Sequence, residues 1–82
     1  MKLRSAKFYQ SVEFGKNKAI TFLNVDSYKS ILNLAYLNNL SLTLLDHGVQ
    51  ISAEGHEDVV VPFNNVAYYQ VIKQDKAVKA VK

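Results

Sequence analysis

Between Leu40 and Ile72 the chain alternates apolar and polar residues through four short runs, each bounded by turn-forming segments. That pattern leaves little room for anything but antiparallel β structure. Leu40, Leu42 and Leu44 share one parity, against Ser41, Thr43 and Leu45. Asp46-His47-Gly48 reads as a hairpin connection, with Gly48 expected at a positive φ. The return run sets Val49, Ile51 and Ala53 against Gln50, Ser52 and Glu54, and the acidic loop 54–58 follows. Val59, Val61 and Phe63 resume the alternation. Pro62 has no N–H to give a ladder, so it marks a strand end or an edge. Asn64-Asn65 reads as a short turn, a single 3₁₀ turn at most. The last run, Val66–Ile72, carries aromatic or aliphatic residues on both parities. It reads as a strand covered on both faces or one that pairs with another chain.

Upstream, Ala6, Phe8, Val12 and Phe14 fall on even positions and Lys7, Tyr9, Ser11 and Glu13 on odd ones, the period of a half-buried strand. Gly15 to Lys18 supplies a turn, and Ala19–Leu23 is a return strand rich in β-formers. At Asp26 the pattern changes. Asp26 or Ser27 can cap a helix, and Tyr28, Ile31, Leu32 and Ala35 follow at helical spacing, broadened by Leu34 and Leu37. Asn38-Asn39 offers a left-handed stop. The fold class expected is therefore mostly β (α+β): about six short strands with one helix near residues 27–38, forming a small antiparallel β-barrel or a strongly bent sheet. Residues 1–72 read as a single small domain and 73–82 as a basic C-terminal tail.

Eighty-two residues suffice for one domain, and a chain this short buries only about 60–65% of its unfolded surface, so added stability from self-association is expected. There are no cysteines, hence neither disulfides nor a thiolate metal site. The basic N-terminus lacks the apolar core of a secretory signal, and no apolar run is long enough to span a bilayer. A cytoplasmic protein without membrane contact is expected. The net charge of +3 is unevenly spread. Residues 1–29 hold six basic and two acidic side chains, residues 30–72 four acids and no Lys or Arg, and residues 73–82 four Lys and one Asp. Both ends are basic and the middle is acidic.

The run SLTLLDHGVQISAEGHEDVVVPFNNVAYYQV, residues 41–71, resembles the closing strands of small SH3-like or Sm-like β-barrels. There a hydrophobic strand ending in Pro and an aromatic passes through one 3₁₀ turn into the final strand. In general character the run is also similar to short bacteriophage proteins. The glycine and asparagine signature of Sm proteins is not present. The resemblance implies a non-enzymatic binding module, with a partner of either macromolecular class.

The residues themselves argue against catalysis. There are two histidines, no glycine-framed nucleophile, and no carboxylate pair set in an apolar pocket. Neither Asp46-His47 nor His56-Glu57-Asp58 has the spacing of a metal motif, and three isolated glycines make no phosphate cradle. No metal, cofactor or small-molecule substrate is expected. Nucleic-acid binding fits better: Lys7, Lys16, Lys18, Lys73 and Lys76 can meet phosphates while Tyr9 stacks on a base, with Tyr68 or Tyr69 as further stacking residues. Phe8, Phe14, Phe22 and Phe63 are expected in the core. The alternative is a protein-binding modulator of the phage host-takeover kind, acting through Asp46, Glu54, Glu57 and Asp58 or through the last strand. A structural subunit of a larger assembly is a third reading. A homo-oligomer is expected in any of them.

Overall fold

The computed structural model describes residues 1–31 and 34–72. Its longest element is β1 (Lys2–Phe14), to which the other strands are referred. The remaining strands are β2 (Asn17–Asn24), β3 (Ser41–Leu44), β4 (Gly48–Ser52), β5 (Val59–Pro62) and β6 (Val66–Val71). A single helical turn, α1 (Tyr28–Ile31), follows β2, and a 3₁₀ turn (Phe63–Asn65) joins β5 to β6. All pairings are antiparallel in one sheet of order β2-β1-β3-β4-β5, with β6 also paired to β1. No pairing among the described residues closes this sheet into a ring.

Register fixes which edge of β1 each neighbour uses. Leu3 is partnered by Leu42 and by Val71, while Ser5, Ala6 and Lys7 are each partnered by one residue of β2 and one of β6. A residue flanked by two strands has one on each edge. β6 therefore occupies one edge of β1, and β3 and β2 share the other in succession.

The strand begins four residues earlier than alternation indicates, because a register shift between Leu3 and Ser5 resets the parity. Leu3 and Ala6, three apart, are both fully buried. From there Ala6, Phe8, Val12 and Phe14 line the core as their parity requires. Leu42, Val49, Ile51 and Val61 meet them from β3, β4 and β5. Burying these side chains is the main driving force for the fold, since hydrophobic gain scales with area removed from water.

The helix is far shorter than the expected span of 27–38: among the described residues it is confined to Tyr28–Ile31. Leu34 donates its N–H to the Tyr28 carbonyl (3.3 Å), six residues back, and Leu37 donates to the Leu34 carbonyl (3.0 Å), so the chain winds in turns. The Tyr28 hydroxyl donates to the Leu37 carbonyl (3.2 Å), satisfying a backbone group that a continuing helix would have used. Tyr28, Leu34 and Leu37 are buried and Ala35 is exposed, which is not the face a helix over this stretch would present. Asp26 takes no capping role; its carboxylate receives the Arg4 guanidinium at 2.6 Å. Asn39 does adopt a left-handed φ of 56°.

Gly48 is required for a different reason from the expected one. It is not among the described residues of positive φ, which include Gly15, Asn39 and Gly55. Instead a Cβ at this position would lie 2.3 Å from the Val61 carbonyl oxygen, so the close approach of β4 to β5 excludes any side chain. Gly48→Ala should therefore destabilise the fold by about 2 kcal/mol, the scale of overpacking a rigid core. Urea unfolding followed by circular dichroism measures this, and an unchanged midpoint would show that β4 and β5 can separate freely.

Candidate nucleic-acid interface

Side chains on the core-averted face of β1 are set by the same register. Lys7 pairs across to Phe22 on β2 and to Tyr68 on β6, and cross-strand partners share a face. The three are in register across β2, β1 and β6, so Lys7 stands in one row with two aromatic residues. Tyr9, two residues along, lies on that face and is the most exposed aromatic at 70%; Tyr68 is 54% exposed. Lys7 has neither an ion-pair nor a hydrogen-bond partner among the described residues. Beside it, Ser5 is flanked by Asn24 and Gln70, and its hydroxyl donates to Gln70 Oε1 at 2.9 Å.

Tyr9 owes its position to an irregularity. Register against β2 shifts between Lys7 and Val12, so residues 8–11 bulge from the ladder, and Tyr9, Gln10 and Ser11 are all exposed. On the β6 side, the Asn65 carboxamide extends the pairing of β1 past Phe8 and Val66. Its Oδ1 accepts the Gln10 backbone N–H at 2.7 Å and its Nδ2 donates to the Gln10 carbonyl at 3.2 Å. One side chain thus imitates a strand partner and ties the 3₁₀ turn to the bulge.

The structure unites only part of the expected cationic set. Lys7 and Tyr9 belong together. Lys16 lies at the hairpin tip beyond the end of β1, nine residues from Lys7 and seven from Tyr9, about 23–30 Å at about 3.3 Å per residue. There its Nζ sits 5.6 Å from the Tyr36 ring centroid, and its backbone N–H donates to the Tyr36 hydroxyl at 3.0 Å. The Lys18 side chain, Lys73 and Lys76 lie outside the described residues. Phe22, expected in the core, instead stands half-buried on the Lys7 face, and Phe63 is 40% exposed because β5 ends one residue before it. Of the two tyrosines expected as further stacking residues, Tyr68 joins Lys7 on this face and Tyr69, its neighbour in the strand, points to the opposite one.

The acidic residues do not make a single surface. Asp46 lies in the β3–β4 turn, at the opposite end of β4 from the 54–58 loop. Asp58 is committed to the fold: Oδ2 accepts from Gln50 Nε2 and Oδ1 from Ser52 Oγ, both at 2.8 Å. Glu54 accepts from Asn39 Nδ2 at 3.3 Å. Glu57 is exposed on the rim of an open cleft of about 340 Å³ between this loop and the hairpin tip, which Glu13, Phe14, His56 and Val59 also line. His56 packs against Phe14 and Tyr36, with ring centroids 5.8 Å and 6.2 Å away. No group of three or more His, Asp or Glu side chains among the described residues is placed to hold a metal ion. No helix of the described residues is long and apolar enough to cross a membrane.

Comparisons with protein families, curated proteins and solved structures yield no match to this chain.

Two substitutions separate the clamp from the exposed ring. Asn65→Ala should cost about 1–2 kcal/mol, since it leaves the Gln10 backbone groups unpaired. Tyr9→Ala should stay within about 0.5 kcal/mol of wild type, as expected of an exposed side chain. Thermal unfolding of both checks this; equal destabilisation would mean Tyr9 packs as part of the fold.

Proposed function

We propose that this protein is a small, non-enzymatic, barrel-like binding module that engages single-stranded nucleic acid on the β2-β1-β6 face. The observation that carries the reading is the cross-strand row Phe22–Lys7–Tyr68 with Tyr9 beside it: a lysine without an ion-pair partner among the described residues, in register with a half-buried Phe22 and an exposed Tyr68. Bases stack on such rings whatever their sequence, while the ammonium neutralises a phosphate. Single strands suit it better than duplex, because bases must be unstacked to reach the rings.

The barrel-like reading is supported by the passage from β5 through the Phe63–Asn65 turn into β6, which returns to β1. It is also supported by one core cluster drawing on β1 to β5 under a single sheet. Lys2 and Arg4 extend the cationic character toward the start of β1, although Asp26 offsets Arg4. Protein binding through the acidic loop has less support, because Asp58 and Glu54 are used to build that loop.

Fluorescence anisotropy of labelled oligonucleotides tests the reading. Wild type should bind single-stranded DNA or RNA more tightly than duplex, with a shallow salt slope of about −0.7 per phosphate contacted. Tyr9→Ala and Tyr68→Ala should each cost about 1–3 kcal/mol of binding, about five- to 150-fold, and Lys7→Glu should weaken binding while flattening the slope. Binding that is indifferent to all three would remove this face from consideration.

A further inference from the structure

β6 has two edges, and among the described residues only one is used. β1 takes it, and no other described strand pairs with β6. Ile72 donates its N–H to the Lys2 carbonyl at 3.3 Å. Alternate residues of a strand turn their backbone groups to the same neighbour, so Tyr68 and Gln70 face β1 while Tyr69 and Val71 present theirs to the open edge.

Natural sheets blunt such edges with Lys, Pro, brevity or a bulge. β5, at the end of the strand order, is only four residues long and ends in Pro62. β6 has six residues, VAYYQV, with neither charge nor proline; of its two register shifts against β1, one falls at its start and the other sets Arg4 of β1, not a residue of β6, out of the pairing between Gln70 and Val71, leaving Tyr68–Gln70 regular. Tyr69 shares the core-facing side with its partner Ala6, yet is 42% exposed. An aromatic ring on the inner face beside an unguarded edge lacks a neighbour that would cover it.

From this we infer that β6 pairs antiparallel with the β6 of a second copy, about a two-fold axis passing through Tyr69 and normal to the sheet. The segment is self-complementary in that register. Tyr69 opposes Tyr69 of the other copy, Val71 opposes Ala67, and Tyr68 opposes Gln70, so no charge meets its like and the half-exposed ring gains an aromatic cross-strand partner. An isologous pair also requires no second surface on the molecule.

The geometry has a consequence for the proposed binding face, which rests on that reading while the dimer does not. A two-fold axis normal to the sheet keeps both outward faces on the same side. The Phe22–Lys7–Tyr68 rows of the two copies then lie on one continuous six-strand surface, with the two β1 strands three strand spacings, about 14 Å, apart. A single strand of nucleic acid would be held by aromatic and cationic groups from both copies.

Sedimentation equilibrium of the full chain, with amide hydrogen exchange, tests the dimer. Wild type should move from the 9.2 kDa single-chain mass toward twice that value as concentration rises, and the Tyr69 and Val71 amides should gain protection in step. Tyr69→Pro, which removes an outward donor, and Tyr69→Lys, which sets like charges on the axis, should stay at single-chain mass with wild-type circular dichroism. A single-chain mass at every concentration, an assembly larger than two, or wild-type association by either variant would overturn the inference, as would unprotected Tyr69 and Val71 amides in a dimer. Oligonucleotide anisotropy on the same samples keeps the two readings apart. A monomer that binds single strands removes only the dimer, and a dimer that binds none removes only the nucleic-acid face.

Discussion

Thirteen consecutive residues of β1 supply hydrogen-bonding edges to three other strands, and the rest of the molecule follows from how that strand divides its two edges. β3 takes the first residues of one edge and β2 the remainder, while β6 occupies the other. A straight, regular strand could not serve all three with one buried face. Two irregularities permit it: the shift near Arg4, which brings Leu3 and Ala6 both to the core, and the bulge over residues 8–11 against β2, where the Asn65 carboxamide holds Gln10 next to the β6 pairing.

The same irregularities create the exposed face. The bulge lifts Tyr9 clear of the sheet, and the register between β2, β1 and β6 aligns Phe22, Lys7 and Tyr68. Exposing these rings forgoes hydrophobic stabilisation on the scale of about 1.5–3 kcal/mol for a fully buried aromatic. A small domain can ill spare that, which is the energetic reason to look for a ligand there and for a second chain beside Tyr69.

Much of the sheet is legible in the sequence, because β3, β4 and β5 obey strict period two. Leu40, Leu42, Val49, Ile51 and Val61 are buried as their parity indicates, Pro62 ends an edge strand, and the 3₁₀ turn falls where Phe63-Asn64-Asn65 suggests. Reading by parity fails at the register shift between Leu3 and Ser5 and misses Lys2–Ser5 as strand, and the aromatic character of Phe22 misleads about its face, assigning it to the core. The helix expected over 27–38 misleads for another reason: Tyr28, Leu34 and Leu37 have near-helical spacing, but their burial is achieved through turns closed by the Tyr28 hydroxyl. Gly48 has a role that no local pattern encodes, since its constraint is the carbonyl of Val61, thirteen residues away on another strand. Of the candidate site, Lys7 and Tyr9 are legible from alternation alone. Their union with Phe22 and Tyr68 depends on strand order, which sequence periodicity does not carry.

The most direct test of the account is to map amide and aromatic chemical-shift changes by NMR as a short single-stranded oligonucleotide is titrated into the protein. The account predicts that the largest changes cluster on Lys7, Tyr9, Phe22 and Tyr68, with residues of the 54–58 loop unmoved. Changes centred on Glu57 and the cleft, or confined to the hairpin tip at Lys16, would contradict it.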